Sequence, residues 1–142
     1  VGVHDSEVSL EGTNRWVTGS TLFYNHAGGE IRQDGTNTTA DYGVLTAGDI
    51  LGVALNMDDK QISFYDNGSA IVSNFALSSS ITGFAMPTFM SDASNVVYKV
   101  NFGNPSFAIS SGNADANGYG DFEYAVPSGY YSLCTKNLGE FG

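Results

Sequence analysis

The residues able to do chemistry in this chain are few, and their spacing misses the arrangements that catalysis needs. Nucleophilic catalysis requires a serine or cysteine beside a positioned base. His4 and His26 are the two histidines, both in polar sequence, and no G-x-S-x-G elbow surrounds any serine. Cys134 is the one cysteine, with Lys136 as its basic neighbour, and it reads as a small core residue. A single cysteine also excludes an internal disulfide framework. Glycoside hydrolysis needs two acids facing each other, yet Glu7, Glu11, Glu30 and Glu123 are scattered along the chain. Asp58-Asp59 falls in a turn, where Asp bonds its own backbone. No enzyme is expected.

Metal chemistry has one candidate, Asn113-Ala-Asp115-Ala-Asn117-Gly118-Tyr119-Gly120-Asp121. Oxygen ligands alternate there and a glycine holds the sixth position, as in a calcium loop. The first position is Asn, however, and the twelfth is Tyr124 where a bidentate Glu belongs. A polar Gly/Asn turn is the expected reading, with no metal and no cofactor. Adjacent His or Cys ligands for zinc appear nowhere in the sequence.

Composition narrows the partners. Fifteen acidic residues against five basic give a net charge of −10, which argues against nucleic acid and anionic membranes. No apolar run approaches the roughly 20 residues that span a bilayer as a helix, so no membrane insertion is expected. Only 14% of residues are charged while 42% are hydrophobic, so Ser, Thr, Asn and Gly must cover much of the surface. Asn37-Thr38-Thr39 and Asn67-Gly68-Ser69 fit the N-glycosylation pattern, though a turn explains Asn67 better.

The elements that would position a site are strands. Eighteen glycines, eight tyrosines and nine phenylalanines with three prolines favour short strands and tight turns. From Tyr42 to Gly68 the pattern is clearest. Leu51, Val53, Leu55 and Met57 share one face of an extended strand, Asp58-Asp59-Lys60 turns the chain, and Ile62 and Phe64 restore the apolar face. Asn67-Gly68 then supplies the pair that two-residue hairpins prefer. Further strands are expected at Leu22–Tyr24, Glu30–Arg32, Ala70–Phe75 and Phe84–Met90, the last demoted to an edge or bulge by Pro87. Val96, Tyr98, Val100 and Phe102 alternate as one face of another, and Phe122–Val126 and Tyr130–Leu133 are candidate closing strands. Residues 4 to 19 and Gln33 to Asp41 read as polar loops, and no stretch has helical periodicity. The expected fold is an all-β antiparallel sandwich.

The order G-D-x-x-G-V-A-L-x-x-D-x-x-x-I-S-F-Y-x-N-G, from Gly48 to Gly68, resembles the central signature of SPRY domains. Tyr98-Lys99-Val100-Asn101-Phe102-Gly103 is similar to that family's late strand ending in N-F-G. The resemblance covers residues 40 to 107 well and the first forty loosely. It implies a concanavalin-like sandwich of two antiparallel sheets, used for binding rather than catalysis. Concanavalin-like glycosidases carry Glu-x-Asp-x-x-Glu on a strand, a pattern lacking here. In the family, Val1-Gly2-Val3 would lie inside the fold after earlier strands, so those first strands are expected to be missing from this chain and to lie in a longer polypeptide. The expected division is a SPRY-like sandwich over 1–109 and, over 110–142, a C-terminal loop with closing strands that is part of the same domain or an assembly tail.

The ending Gly129-Tyr130-Tyr131-Ser132-Leu133-Cys134-Thr135-Lys136-Asn137-Leu138 looks like the terminus that follows SPRY-type modules in tailed-phage structural proteins. That terminus often ends in Pro, where this chain has Gly139. It implies a virion structural protein at the particle surface (tail, fibre or decoration component) and hence an extracellular location. The implied partners are other virion subunits, in a homo-oligomer, and a host glycan or protein. A cellular peptide-recognition module is the alternative, and a glycan hydrolase the third reading. SPRY loops at one end of the sandwich form the ligand surface, which implies Asp5 to Gly19 and Gln33 to Asp41 here. Trp16, Tyr24 and Tyr42 lie in or beside such loops. Each has a flat face for stacking and a polar tip, so they are the candidate ligand-binding residues.

Overall fold

A computed structural model describes residues 1–7, 19–91 and 95–141. The chain divides into two compact units, Val1–Ser94 and Asn95–Gly142.

Among its described residues the first unit holds eight strands: β1 Gly2–Asp5, β2 Thr21–Asn25, β3 Glu30–Gln33, β4 Thr36–Asn37, β5 Leu51–Asn56, β6 Gln61–Asp66, β7 Ser69–Ala76 and β8 Ala85–Thr88. They form a five-stranded sheet in the order β4-β3-β2-β1-β8 and a three-stranded meander, β5-β6-β7. Every pairing is antiparallel. In the meander, Val53 lies opposite Phe64 and Leu55 opposite Ile62, so these side chains share one face, as the alternation requires. The core draws on both sheets: Val3, Leu22, Tyr24 and Ile31 meet Ile62, Phe64 and Val72, with Leu77 and Ile81 closing the cluster. The expected two-sheet sandwich is therefore present.

Turn chemistry fixes the registers. Asn67 and Gly68 both take positive φ, 47° and 81°, which matches the right-handed twist of the flanking strands. Asp34 and Gly35 do the same between β3 and β4, at 49° and 80°. Between β6 and β7 the register shifts, and Asn74 at φ 53° donates its amide to Ser63 Oγ at 2.9 Å. That is a bulge with its extra polar group satisfied. Pro87 sits on β8, the edge of its sheet, where its missing N–H costs no ladder bond.

Three expectations need correction. The segment after Gly2 is a strand through Asp5 rather than loop: His4 and Asp5 are buried, at 8% and 1% exposure. His4 Nδ1 meets Thr88 Oγ1, and Asp5 Oδ2 accepts from the amides of Thr82 and Gly83 at 2.6 and 2.7 Å. Partners distant in sequence make these two polar residues compatible with burial. Residues 34–41 are also not all loop, since the Asp34-Gly35 turn builds β4.

The third correction concerns the second unit. Val96–Phe102 forms no strand there, nor do Phe122–Val126 and Tyr130–Leu133. An isolated antiparallel bridge joins Asn113 to Phe122, and the described chain ends in helix α1, Thr135–Phe141. Alternation alone predicts a strand only where a partner edge supplies hydrogen bonds. Val96, Val97, Val100 and Phe102 remain between 37% and 83% exposed. α1 escapes a periodicity search because its seven residues are few and mostly polar.

Candidate functional site: a loop surface beside Tyr42

The turn from β2 to β3 is built on Asn25. Its carbonyl accepts from Gly29 N at 2.8 Å, and its side-chain amide donates to Glu30 Oε1 at 2.9 Å. Gly29 has φ 70°, and a Cβ there would lie 2.4 Å from Asp41 Oδ1 and 2.8 Å from Gly43 O. The missing side chain lets the segment 41–45 lie across the turn. Tyr42 N donates to Gly29 O at 2.7 Å, and Leu45 N to His26 O at 2.9 Å. Asp41 Oδ1 accepts from Gly43 N at 2.9 Å. From the other side, Asn37 Nδ2 reaches Glu30 Oε1 at 3.0 Å, and Thr38 exchanges bonds with the backbone of Ile31. The β2–β3 turn, the end of β4 and the 38–45 loop are thus one hydrogen-bonded surface.

The three aromatic candidates have separate fates. Tyr42 is half-buried, packed against the core on one side, and stands in this surface among exposed Asn37, Thr39, Asp41 and Val44. Tyr24 has no exposure at all. Its ring packs on Phe64 and its hydroxyl donates to Gly43 O, so it supports the loop from below and offers no face to a ligand. The alternation of β2 points it inward, whereas proximity to a turn in the sequence suggests the opposite. Trp16, and the greater part of the loop Asp5 to Gly19, lie outside the described residues.

The electrostatics of this surface are negative. Burial pushes the Tyr24 phenol above its ordinary pKa, and the carboxylates of Asp66, Asp41 and Glu30 push it further. His26 is half-buried in the β2–β3 turn, so it is not a freely presented base. His4 is enclosed between β1 and β8 with Thr88. Among the described residues neither histidine is hydrogen-bonded to a serine or cysteine, the pairing that activates such a nucleophile.

In the second unit the calcium-like loop has a different purpose. Asp115, 8% exposed, accepts from Asn117 N and Tyr119 N on Oδ1 at 2.9 and 3.0 Å. Its Oδ2 accepts from Ser132 N, Ser132 Oγ and Asn137 Nδ2 at 2.8, 2.7 and 2.7 Å. Burial alone would raise this carboxyl, but bonds from the Ser132 amide and hydroxyl, the Tyr119 amide and Asn137 hold it well below the usual range. Protein donors thus occupy both oxygens, and the loop pins the terminal segment in place. Sequence reading singles out this loop for its ligand-like alternation and misses its partners, Ser132 and Asn137, because they lie 17 and 22 residues away. Cys134 follows the pin: the backbone N–H of Asn137, the Ser132 hydroxyl at 3.3 Å and the backbone N–H of Lys136 draw its thiol pKa down. It is half-exposed rather than a core residue.

The described residues thus combine a two-sheet antiparallel sandwich with a polar loop surface at the β2–β3 end. No curated protein and no solved structure matches the chain. The family model described as SPRY domain matches residues 1–105, which is most of the 142. SPRY domains mediate protein interactions, and this chain belongs to the SPRY domain family.

Proposed function

We propose that the chain is a non-enzymatic binding component of a tailed-phage particle, a tail, fibre or decoration protein whose SPRY sandwich presents the Tyr42 surface to a host glycan or protein. The observation that carries the binding part is the construction of that surface. Three segments are tied by backbone and side-chain bonds, so Tyr42 is displayed from a fixed frame with amide, carboxylate and hydroxyl groups around it. Fixed amphipathic aromatics beside adaptable polar groups suit recognition at low entropic cost. The viral part rests on the terminal segment from Gly129 to Leu138 and its likeness to phage termini. Within that segment Ser132 and Asn137 are held by the Asp115 pin.

The test is binding of the purified chain to a panel of bacterial surfaces and to a glycan array, with Tyr42→Ala and Trp16→Ala alongside. Saturable binding that weakens in Tyr42→Ala is the expected outcome. Unchanged binding in both variants would overturn the site, and conversion of any glycan to products would overturn the non-enzymatic reading. A cellular peptide-recognition module is the competing assignment, and selective capture of unrelated peptides with no bacterial binding would favour it.

A further inference from the structure

Asp66, the last residue of β6, has one carboxylate oxygen that no donor reaches. Its Oδ1 is enclosed and accepts no hydrogen bond among the described residues. Buried acceptors nearly always have a donor, and an ionised one left without it is costly. The place of this oxygen in the fold is the end of the core that carries the Tyr42 surface. Phe64, two residues earlier on the same strand, packs on the Tyr24 ring, and the Tyr24 hydroxyl donates to Gly43 O. Asp41 Oδ1 accepts from Gly43 N at 2.9 Å, and Glu30 follows Gly29, whose carbonyl accepts from Tyr42 N. Besides burial, the carboxylates of Asp66, Asp41 and Glu30 raise the pKa of the Tyr24 phenol. The three acids therefore gather around one point, at the base of the loop that displays Tyr42.

The donors that do reach this group are neutral. Glu30 Oε1 accepts from the side-chain amides of Asn25 and Asn37, and Asp41 from a backbone amide. The chain's own cations are engaged elsewhere. Arg32 Nη2 donates to Gly35 O at 3.2 Å, in the β3–β4 turn. Lys60 stands in the β5–β6 turn, at the opposite end of β6 from Asp66 and so roughly 20 Å away along the strand. In the second unit Lys99 and Lys136 lie over the rings of Phe107 and Tyr119. Arg15 lies outside the described residues.

Charge then selects what fits. Three carboxylates repel an acidic glycan or a phosphorylated group. A neutral sugar brings hydroxyl donors but leaves the negative charge unopposed. A lysine ammonium or arginine guanidinium brings donors and charge together, and a tyrosine ring beside it adds a cation–π contribution. We propose that the Tyr42 surface takes a basic side chain of a partner protein, its cation set among Glu30, Asp41 and Asp66 with the Tyr42 ring alongside. This rests on the Tyr42 reading and narrows its ligand from a glycan or protein to a basic protein segment.

The test titrates the whole chain with three decapeptides that alternate glycine with lysine, serine or glutamate, read by amide chemical shifts. The lysine peptide should move the amides of residues 28–30 and 41–45, and the other two should not. The first unit is acidic throughout, so diffuse attraction must be separated from a defined site. Asp41→Asn and Asp66→Asn remove charge and keep shape, and each should weaken the lysine peptide about tenfold. Replacing Asp58 and Asp59, in the β5–β6 turn, by Asn should change its affinity by less than about twofold. Equal losses at the two places would overturn the proposal as diffuse attraction, and so would equal binding of the serine or glutamate peptide. If Tyr42→Ala weakens binding while Asp41→Asn and Asp66→Asn do not, the charge assignment falls and the Tyr42 site stands. Unchanged binding in Tyr42→Ala overturns the site and this proposal with it.

Discussion

The ring of Tyr24, on β2, packs against that of Phe64, on β6, with centroids 5.3 Å apart and planes inclined by 38°. Each residue belongs to a different sheet and neither is exposed, so this pair is a direct tie between the two layers. It also connects packing to the loop surface, because the Tyr24 hydroxyl donates to Gly43 O within the segment that displays Tyr42.

Removing the two halves of that relationship should have different consequences. Phe64→Ala empties a fully buried site shared by both sheets and is expected to cost about 3–5 kcal/mol of stability. Tyr24→Phe keeps the ring contact and deletes the bond to Gly43, for about 1 kcal/mol. Urea unfolding measures both, and amide exchange at Gly43 and Val44 should quicken in Tyr24→Phe. Equal losses in the two variants would show that the hydroxyl rather than the ring contact dominates.

Much of this tie was legible in the sequence. The alternation Leu51, Val53, Leu55 followed by Ile62 and Phe64 contains the β5–β6 pairing with its register, and Asn67-Gly68 marks the turn into β7, whose bulge at Asn74 has no such signal. The Asp34-Gly35 hairpin carries the same turn signal, but its flanks are polar and the hydrophobic pattern gives it no support. His4 and Asp5 look like loop residues because their partners, Thr88, Thr82 and Gly83, are about 80 residues away. Local pattern reading has no access to such pairs. Sequence places Tyr42 on the loop surface where it stands, half-buried, but gives no sign that Tyr24 is enclosed in the core. Adjacency to a turn says nothing about which face of β2 a side chain occupies until the core-facing positions are known.

Two glycines make an opposed pair of predictions. A Cβ on Gly2 would sit 1.9 Å from the Leu22 carbonyl oxygen, inside the central pairing of β1 with β2. Gly2→Ala must push those strands apart and should cost about 3 kcal/mol. Gly139 lies within α1, and beyond its chain neighbours and the helix's own backbone nothing stands within 4 Å of where its Cβ would be. Gly139→Ala should therefore stabilise by about 0.5–1 kcal/mol. Thermal unfolding should show the midpoint falling in the first variant and holding or rising in the second; a fall in both would contradict the open space at Gly139.

The hairpin residue Asn67 is held twice as well as turned. Its Oδ1 accepts from Ile50 N at 3.0 Å and its Nδ2 donates to Asp49 Oδ1 at 2.8 Å, while its φ of 47° suits Asn better than most residues. Asn67→Ala loses both bonds and keeps the unfavourable φ, for an expected cost of about 1–2 kcal/mol. Asn67→Gly relieves the φ and should recover part of it. If Gly proves as costly as Ala, the side-chain bonds alone account for the position.

Acid should unfold this protein through a specific set of carboxylates. Asp5 is lowered by the amides of Gly83 and Glu7, Asp49 by Thr46 and Asn67, and Glu123 by the hydroxyl and amide of Ser110 and by Ser111. In Asp34 and Asp115 burial works the other way but is outweighed, by Ser78, Thr21 and Ser80 in the first and by Ser132, Tyr119 and Asn137 in the second. A folded-state pKa below the unfolded value of about 4 means that the stabilisation is complete above that value and is lost as pH falls through the folded one. Urea midpoints should thus decline below about pH 4 as these carboxylates protonate. Because the partners are N–H and O–H groups rather than ammonium or guanidinium, added salt should leave the contribution of these bonds nearly unchanged. Asp115→Asn replaces one of these acceptor oxygens with an NH2 group, a donor turned toward donors already facing it. It should lower stability at neutral pH by about 2–3 kcal/mol and flatten the acid limb. An unaltered limb in that variant would remove Asp115 from the set, and a profile level down to about pH 2 would refute the assignment for all five.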